Sequence, residues 1–232
     1  MRRTWLTLHR WLGFICGLWI SVIALTGSLN VYFFEIDEWL NPELQISPTS
    51  DGPRPLAQIA RALTERFPDA KGRWRFEMPT HERGTIKAWY SGPDEGTQDG
   101  PGAPNTAGRL ASPLVSIDPY RAEIVSVRDF YNGTLVGFIY DLHMTLLLPV
   151  ETGQTLAGVL AIALMISLMS GLYLWWPRNG NWKMAFIPKR KASLPRRVLD
   201  LHRLTGVFSS LVLMAVAASG LYFVFNDWIE PA

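Results

Sequence analysis

The 232-residue sequence is short of charge and almost free of cysteine. Asp, Glu, Lys and Arg make up 18% of its residues, whereas a soluble domain usually carries about 25%. Cys16 is the single cysteine, which excludes a small secreted protein held together by disulfides. Hydrophobic residues make up 48%, which excludes a disordered chain. The mean hydropathy is nevertheless only +0.10, so the chain is either an apolar soluble domain or a mixture of two kinds of sequence.

Several chemical signatures are also missing from the sequence. It has no Gly-rich phosphate-binding loop, no nucleophile motif and no pair of carboxylates spaced for acid–base work. The net charge of +2 gives no basis for a nucleic-acid partner. The four histidines are therefore the residues from which chemistry can be predicted.

Three long uncharged runs distinguish between the two kinds of chain. Residues 11–34, 152–177 and 204–226 contain 24, 26 and 23 residues without an acidic or basic side chain. A helix needs about 20 apolar residues to cross the hydrocarbon of a bilayer, so the runs predict three transmembrane helices. The first run also resembles a signal peptide, but it is too long and lacks a small-residue cleavage site before Val31, so we expect it to be retained.

The distribution of charge predicts the orientation. Segment 35–152 holds 17 acidic against 11 basic residues, while loop 177–199 holds seven basic residues and no acidic one. Short basic loops remain in the cytoplasm. We therefore predict a bacterial inner-membrane protein of several passes, with a cytoplasmic N-terminus and a periplasmic soluble domain.

The predicted fold class is a membrane all-α bundle of three transmembrane helices, with a small α+β periplasmic domain inserted between helices 1 and 2. The predicted segments are the N-terminus with helix 1 (1–35), the periplasmic domain (36–135), an interfacial segment (136–152), helix 2 (153–177), the basic cytoplasmic loop (178–200), helix 3 (201–226) and a periplasmic tail (227–232).

The soluble segment has its own pattern of elements. Apolar residues at helical spacing predict a helix from Leu56 to Phe67. Alternating residues predict strands at 72–78, 85–90, 114–117 and 123–127. Residues 92–108, rich in Gly and Pro, predict a loop between strands. His81 lies in a polar turn, where an exposed side chain is the expected state.

An internal repeat relates the first and third runs. The sequence LHRWLG around His9 matches LHRLTG around His202, and Thr26-Gly27 and Ser219-Gly220 follow each histidine at the same spacing. The second run ends in a similar pair, Ser170-Gly171. Because the first and third helices are predicted to run in the same direction, His9 and His202 are expected at the same depth.

Two imidazoles at equal depth on neighbouring helices predict a haem whose iron both of them ligate. Arg10 and Arg203 are placed to pair with its propionates. Gly13 and Gly206 leave room for a flat macrocycle, although a Gly13-x-x-x-Gly17 spacing is also typical of helix packing. The alternative interpretation is that both histidines lie at the interface without a ligand.

His143 precedes the second run, on the predicted outer side. It is a candidate ligand for a second haem, with His81, Met144, another subunit or nothing as the opposite ligand. Zinc is less suitable, because a structural zinc site needs about four nitrogen or sulfur ligands together.

Taken in order, several motifs resemble the PepSY-associated transmembrane helix family. They are LHRWLG (8–13), ALTG (24–27), LH (142–143), SGL (170–172) with WWP (175–177), and LHR (201–203). The segment VSIDP (115–119) is similar to the small PepSY domain. The resemblance implies bacterial inner-membrane proteins, several of them tied to iron uptake, including haem-containing reductases of ferric siderophores. It implies His9, His143 and His202 as haem ligands.

The expected function is therefore a membrane haem b protein that transfers electrons to a periplasmic ferric acceptor, such as a ferric siderophore, from an unidentified donor. One haem is expected and a second is an option. Two alternatives stay open: a non-redox PepSY module that the helices anchor, and an accessory subunit of a larger membrane reductase. A homo-oligomer or a partner subunit is compatible with each.

Overall fold

The computed structural model describes residues 1–91, 113–177, 180–189 and 191–229, so the predicted loop 92–108 lies outside the described residues. The chain forms two compact units, one of Met1–Ala24 with Glu151–Ala232 and one of Leu25–Val150. The helices are α1 (Arg2–Ile15), α2 (Gly17–Asn30), α3 (Phe33–Leu40), α4 (Leu56–Arg66), α5 (Phe130–Gly133), α6 (Leu135–Thr145), α7 (Val150–Trp175), α8 (Trp182–Phe186) and α9 (Leu194–Ile229). The strands are β1 (Arg73–Glu77), β2 (Ile86–Ser91), β3 (Pro113–Asp118) and β4 (Glu123–Asp129).

Within the described residues, two helices are long and apolar enough to cross a membrane by themselves, and the chain is a membrane protein. They are α7 and the part of α9 from Leu194 to Phe225. Helices α1 and α2 pass the same test only as a pair, which brings the number of candidate spans to two or three. The three-helix layout therefore stays a prediction.

The first predicted span is bent. Helices α1 and α2 meet at 54° around Cys16, where the sequence predicted one continuous helix. Ser21 Oγ donates a hydrogen bond to the Gly17 carbonyl at 2.7 Å, and such a bond to a carbonyl four residues back tends to bend a helix. The apolar composition of the run does not encode this break.

Helix α9 begins at Leu194, inside the segment predicted as a basic loop. Asp200 makes this possible, because its buried carboxylate lies 3.0 Å from Arg196 and 3.7 Å from Arg203. The same carboxylate accepts a hydrogen bond from the backbone N–H of Lys189. One acidic residue thus compensates part of the basic charge where the helix starts.

The unit Leu25–Val150 contains a four-stranded antiparallel sheet in the order β1-β2-β3-β4, with a register irregularity between Ser116 and Ile117. The four predicted strands are confirmed within two residues at each end, as is the helix at Leu56. Helix α4 buries its apolar face against the sheet through Ile59 and Leu63, which pack on inward-facing residues of β2 and β3. The result is a small α+β domain.

Helix α3 is joined to the sheet by a buried ion cluster. The Asp37 carboxylate accepts two hydrogen bonds from the Arg128 guanidinium, at 2.8 and 2.7 Å, and lies 3.5 Å from Lys87 Nζ. The side chain of Lys87 is 0% exposed, and this burial lowers its pKa although Asp37 opposes the shift. A bidentate arginine–carboxylate pair fixes both distance and orientation, so it sets how α3 lies on the sheet.

His81 lies exposed in a turn, as the sequence predicted, but it also has a partner. Its ring is 46% exposed, but Nε2 lies 2.7 Å from Oε2 of Glu38, a carboxylate that is 7% exposed. Glu38 follows Asp37 on α3, so a second polar contact holds this helix to the turn before β2. The polar sequence around His81 gave no sign of a partner 43 residues away.

An aromatic core closes the other side of the domain. Phe130 is 1% exposed and packs edge-on against Trp89, with ring centroids 4.9 Å apart. Tyr131 and Tyr140 pack at its edge. Burial is the main cause that raises the pKa of both tyrosines above the usual 10.0.

Candidate functional site

His9 and His202 lie side by side in the unit built from the two chain ends. Helix α1 carries His9 and α9 carries His202, and the ring centroids are 6.0 Å apart with the ring planes at 53°. His9 is half-buried, while His202 is exposed. The structure therefore brings together the two histidines that the repeat singled out.

Helix α7 packs against the His9 ring. His9 Nδ1 lies 3.1 Å from the Ser167 carbonyl oxygen and 3.1 Å from Ser170 Oγ. The next residue, Gly171, faces the same ring: a Cβ there would lie 3.1 Å from His9 Cε1. The ring thus lies on a stretch of α7 whose side chains are small or absent.

A second histidine has a similar environment in the other unit. His143, on α6, places Nδ1 3.4 Å from Thr26 Oγ1. A Cβ at Gly27 would lie only 2.6 Å from His143 Cε1. A hydroxyl residue followed by glycine therefore contacts His143, as Ser170 and Gly171 contact His9. His81, one of the residues considered as its partner ligand, lies instead against Glu38.

The remaining predicted residues lie in different environments. Arg10 and Gly13 line an open groove of about 630 Å³ along α1, together with Thr7, Trp11 and Phe14. Neither His9 nor His202 lines this groove. A Cβ at Gly13 or Gly206 would meet no described atom within 4 Å, so both glycines face open space.

Arg203 differs from the sequence prediction in one respect. It is half-buried and shares the Asp200 carboxylate with Arg196. Its guanidinium is therefore partly neutralised, whereas Arg10 is exposed on the groove. Of the two arginines, Arg10 is the better placed to pair with an added anionic group.

The donor set fits a haem iron better than a metal held by protein side chains alone. No three His, Cys, Asp or Glu side chains gather as metal ligands in the described part of the chain. Two imidazoles that ligate one metal from opposite sides, with metal–nitrogen bonds of about 2 Å, have ring centres roughly 6 Å apart. The observed 6.0 Å is compatible with this separation.

Reasoning from the sequence missed the residues that hold His9. Ser167, Ser170 and Gly171 lie about 160 positions from it, on a different helix. A signal was present, because Ser170-Gly171 repeats Thr26-Gly27 and Ser219-Gly220. The repeat alone does not say which histidine each pair contacts, since that depends on how the helices pack.

Comparison with known families gives one match. The family model described as the PepSY-associated TM region matches residues 6–232 of the chain. A search of curated proteins found no match.

Proposed function

Because the chain belongs to the PepSY-associated TM family, we propose that it is a haem protein of the bacterial inner membrane that transfers electrons outward to a periplasmic ferric acceptor, such as a ferric siderophore. The observation that carries this proposal is the approach of His9 and His202 to 6.0 Å within a membrane protein. Ionisable groups in a membrane-spanning helix have a function by default, since they are costly to bury there.

The roles of the residues follow from their chemistry. His9 and His202 would hold the iron, and Arg10 would pair with a propionate. When bound, haem b would supply a one-electron couple. Two histidine ligands leave no open coordination position, which suits electron transfer rather than oxygen chemistry.

One haem near the cytoplasmic face is too far from the periplasm to pass electrons across the membrane, so a second electron carrier is needed. The charge distribution predicts that His9 and His202 lie near the cytoplasmic face, and the hydrocarbon region is about 30 Å thick. A second haem on His143 or a partner protein would cover the outer part of this distance. His143 already has a histidine-holding environment of the same type as His9, which supports the first of these options.

The proposal is tested by the absorption spectrum of the purified full-length chain. We expect a b-type haem band in the reduced-minus-oxidised difference spectrum. The band should be lost in His9→Ala and in His202→Ala, because each removes one of the two imidazoles that would hold the iron. His81→Ala is the matched control and should keep the band, since His81 contacts Glu38 and not the site.

Two outcomes would contradict the proposal. A wild-type chain without haem would favour the alternative in which the α+β domain binds a partner and the helices anchor it. A band that survives in both His9→Ala and His202→Ala would reject the ligand assignment. The ratio of haem to protein, one or two, decides whether His143 holds a second group.

A further inference from the structure

We propose that Ser170 and Gly171 are positioning residues: together with the Ser167 carbonyl they fix the ring of His9 in the tautomer that carries its proton on Nδ1, and so direct Nε2 toward a metal. This inference rests on the proposed function in one respect, that the metal is haem iron. The contacts that hold the ring do not depend on it.

The hydrogen bonds favour one tautomer. The Ser170 hydroxyl donates its proton to the Ser167 carbonyl, with Oγ 2.9 Å from that oxygen. In that arrangement its remaining capacity toward His9 is as an acceptor. The Ser167 carbonyl oxygen is also only an acceptor. Both groups lie 3.1 Å from His9 Nδ1, and Ser167 Oγ lies 3.5 Å from it. The hydroxyls can adapt to either tautomer, but the carbonyl oxygen can only accept, so its contact favours the proton on Nδ1.

A proton on Nδ1 leaves the lone pair of the neutral ring on Nε2. This is the usual state of a metal-ligating histidine, whose second nitrogen donates to a carbonyl or another oxygen acceptor. Ser170 is 1% exposed, so water does not compete for its hydroxyl. The protein thus favours this tautomer before any metal arrives.

Gly171 makes the contact possible. A Cβ at this position would lie 3.1 Å from His9 Cε1, which is tighter than an ordinary van der Waals contact, and 3.7 Å from Nδ1. Any larger side chain would push the ring away from α7 and lengthen both hydrogen bonds. The glycine therefore acts on the same ring as the serine does, by leaving space.

The chain repeats this arrangement once and also supplies a control. Thr26 and Gly27 contact the ring of His143 through a hydroxyl 3.4 Å from Nδ1 and a glycine that faces Cε1. Ser219 and Gly220 have the same sequence as Ser170 and Gly171, and the Ser219 hydroxyl donates to the Val216 carbonyl as the Ser170 hydroxyl donates to that of Ser167. A Cβ at Gly220 would meet no described atom within 4 Å. Substitutions at Ser219 and Gly220 therefore make the same chemical changes at positions where the structure shows no contact with a histidine among the described residues.

The first measurement uses the full chain without haem. Nitrogen-15 NMR of histidine-labelled protein in detergent, with the His9 signal assigned from His9→Ala, should show the Nδ1–H tautomer. Ser170→Ala should shift His9 toward the Nε2–H tautomer, and Gly171→Ala should shift it further because it moves the ring from both acceptors. Ser219→Ala and Gly220→Ala should leave the His9 signal unchanged.

The second measurement is haem titration and redox potentiometry of the same variants. Loss of a partner behind a metal-ligating histidine typically lowers metal affinity about 10- to 100-fold, and we expect this range for Ser170→Ala and Gly171→Ala. The midpoint potential should rise in Ser170→Ala, because a less basic imidazole stabilises ferric iron less. The two control variants should match the wild type in affinity and potential.

The outcomes separate the two proposals. If the wild type binds no haem, the proposed function fails, while the tautomer shift still decides whether Ser170 and Gly171 position His9. If haem binds and the His9 tautomer, the affinity and the potential are the same in all four variants, the positioning role is overturned and the proposed function stands.

Discussion

At the residue scale, Tyr131 carries a polar group that the fold leaves unused. Its hydroxyl is buried and has no hydrogen-bond partner among the described residues. Its ring packs edge-on against Phe130 at 4.9 Å and Tyr140 at 6.2 Å. Burying an unsatisfied hydroxyl costs about 1–3 kcal/mol, so the ring stabilises the aromatic core while its oxygen opposes this effect.

We therefore expect Tyr131→Phe to stabilise the protein by about 1 kcal/mol, or roughly 2–4 °C in Tm for a chain of this size. Thermal unfolding of the chain in detergent measures this change in Tm. The matched control is Tyr120→Phe in the same domain, where the hydroxyl donates to the Glu82 carbonyl at 2.9 Å. That variant should lower Tm, and a fall in Tm for both would show that the Tyr131 hydroxyl is satisfied.

The pH dependence of stability gives an independent check of the same group. Burial raises the pKa of Tyr131, so the folded chain keeps this proton above pH 10.0 while the unfolded chain loses it. The unfolded state then binds fewer protons, and stability falls as the pH rises past 10.0. The difference in Tm between Tyr131→Phe and the wild type should thus grow between pH 9 and pH 11.

At the element scale, the sequence predicted the pieces with a regular pattern and missed those fixed by distant contacts. The strands of the sheet alternate, and their bounds agree within two residues. The sequence did not predict helix α3. Its charged residues Asp37 and Glu38 follow the first apolar run, and charges at that point are typical of the end of a transmembrane helix. Both are buried by partners far along the chain, Arg128 and His81, which no local pattern encodes.

In the candidate site, too, the sequence predicted the residues that follow a repeated pattern and missed those fixed by distant contacts. His9 and His202 were found from the sequence because the repeat places one histidine at the same point of two helices. Ser170 was not, since its role depends on which face of α7 meets α1. The bend at Cys16 was also missed, because the hydropathy of residues 11–34 does not change at that position.

One element-scale prediction concerns the start of α6, the helix that carries His143. A Cβ at Gly137 would overlap the Phe130 carbonyl of α5 and lie 2.9 Å from Thr134 Oγ1, the group that caps the helix. Gly137→Ala should therefore cost about 1–3 kcal/mol and lower Tm by several degrees.

Gly133→Ala is the control for this substitution. Its Cβ would meet the Asp129 Cβ at 3.8 Å, an ordinary contact, so we expect little change in Tm. Equal Tm values for the two variants would show that α5 and α6 separate easily and that the close backbone approach does not matter.

At the scale of the whole molecule, the predicted topology is open to a direct test. Cys16→Ser gives a cysteine-free background, into which Glu65→Cys on α4 and Lys191→Cys before α9 are introduced at exposed positions. In spheroplasts, a membrane-impermeant maleimide should label the cysteine at 65 at once. The cysteine at 191 should be labelled only after permeabilisation. The reverse pattern would place the α+β domain in the cytoplasm and exclude a periplasmic acceptor.

The bend between α1 and α2 has a consequence for the lipid. Helix α2 has 14 residues and rises about 21 Å, less than the roughly 30 Å of hydrocarbon. If α2 follows the bilayer normal, α1 is inclined by 54° and each of its residues adds only about 0.9 Å of height.

Counted back from Ile15, about ten residues of α1 are then needed to complete the crossing, which puts the boundary between hydrocarbon and headgroups near Leu6 and His9 about 3 Å inside it. A bilayer thinner by this depth would leave His9 among hydrated headgroups, and a thicker one would draw Arg10 deeper among the acyl chains. The acyl-chain length of the host membrane therefore helps to determine how deep His9 lies and how hydrated its ring is, through hydrophobic mismatch.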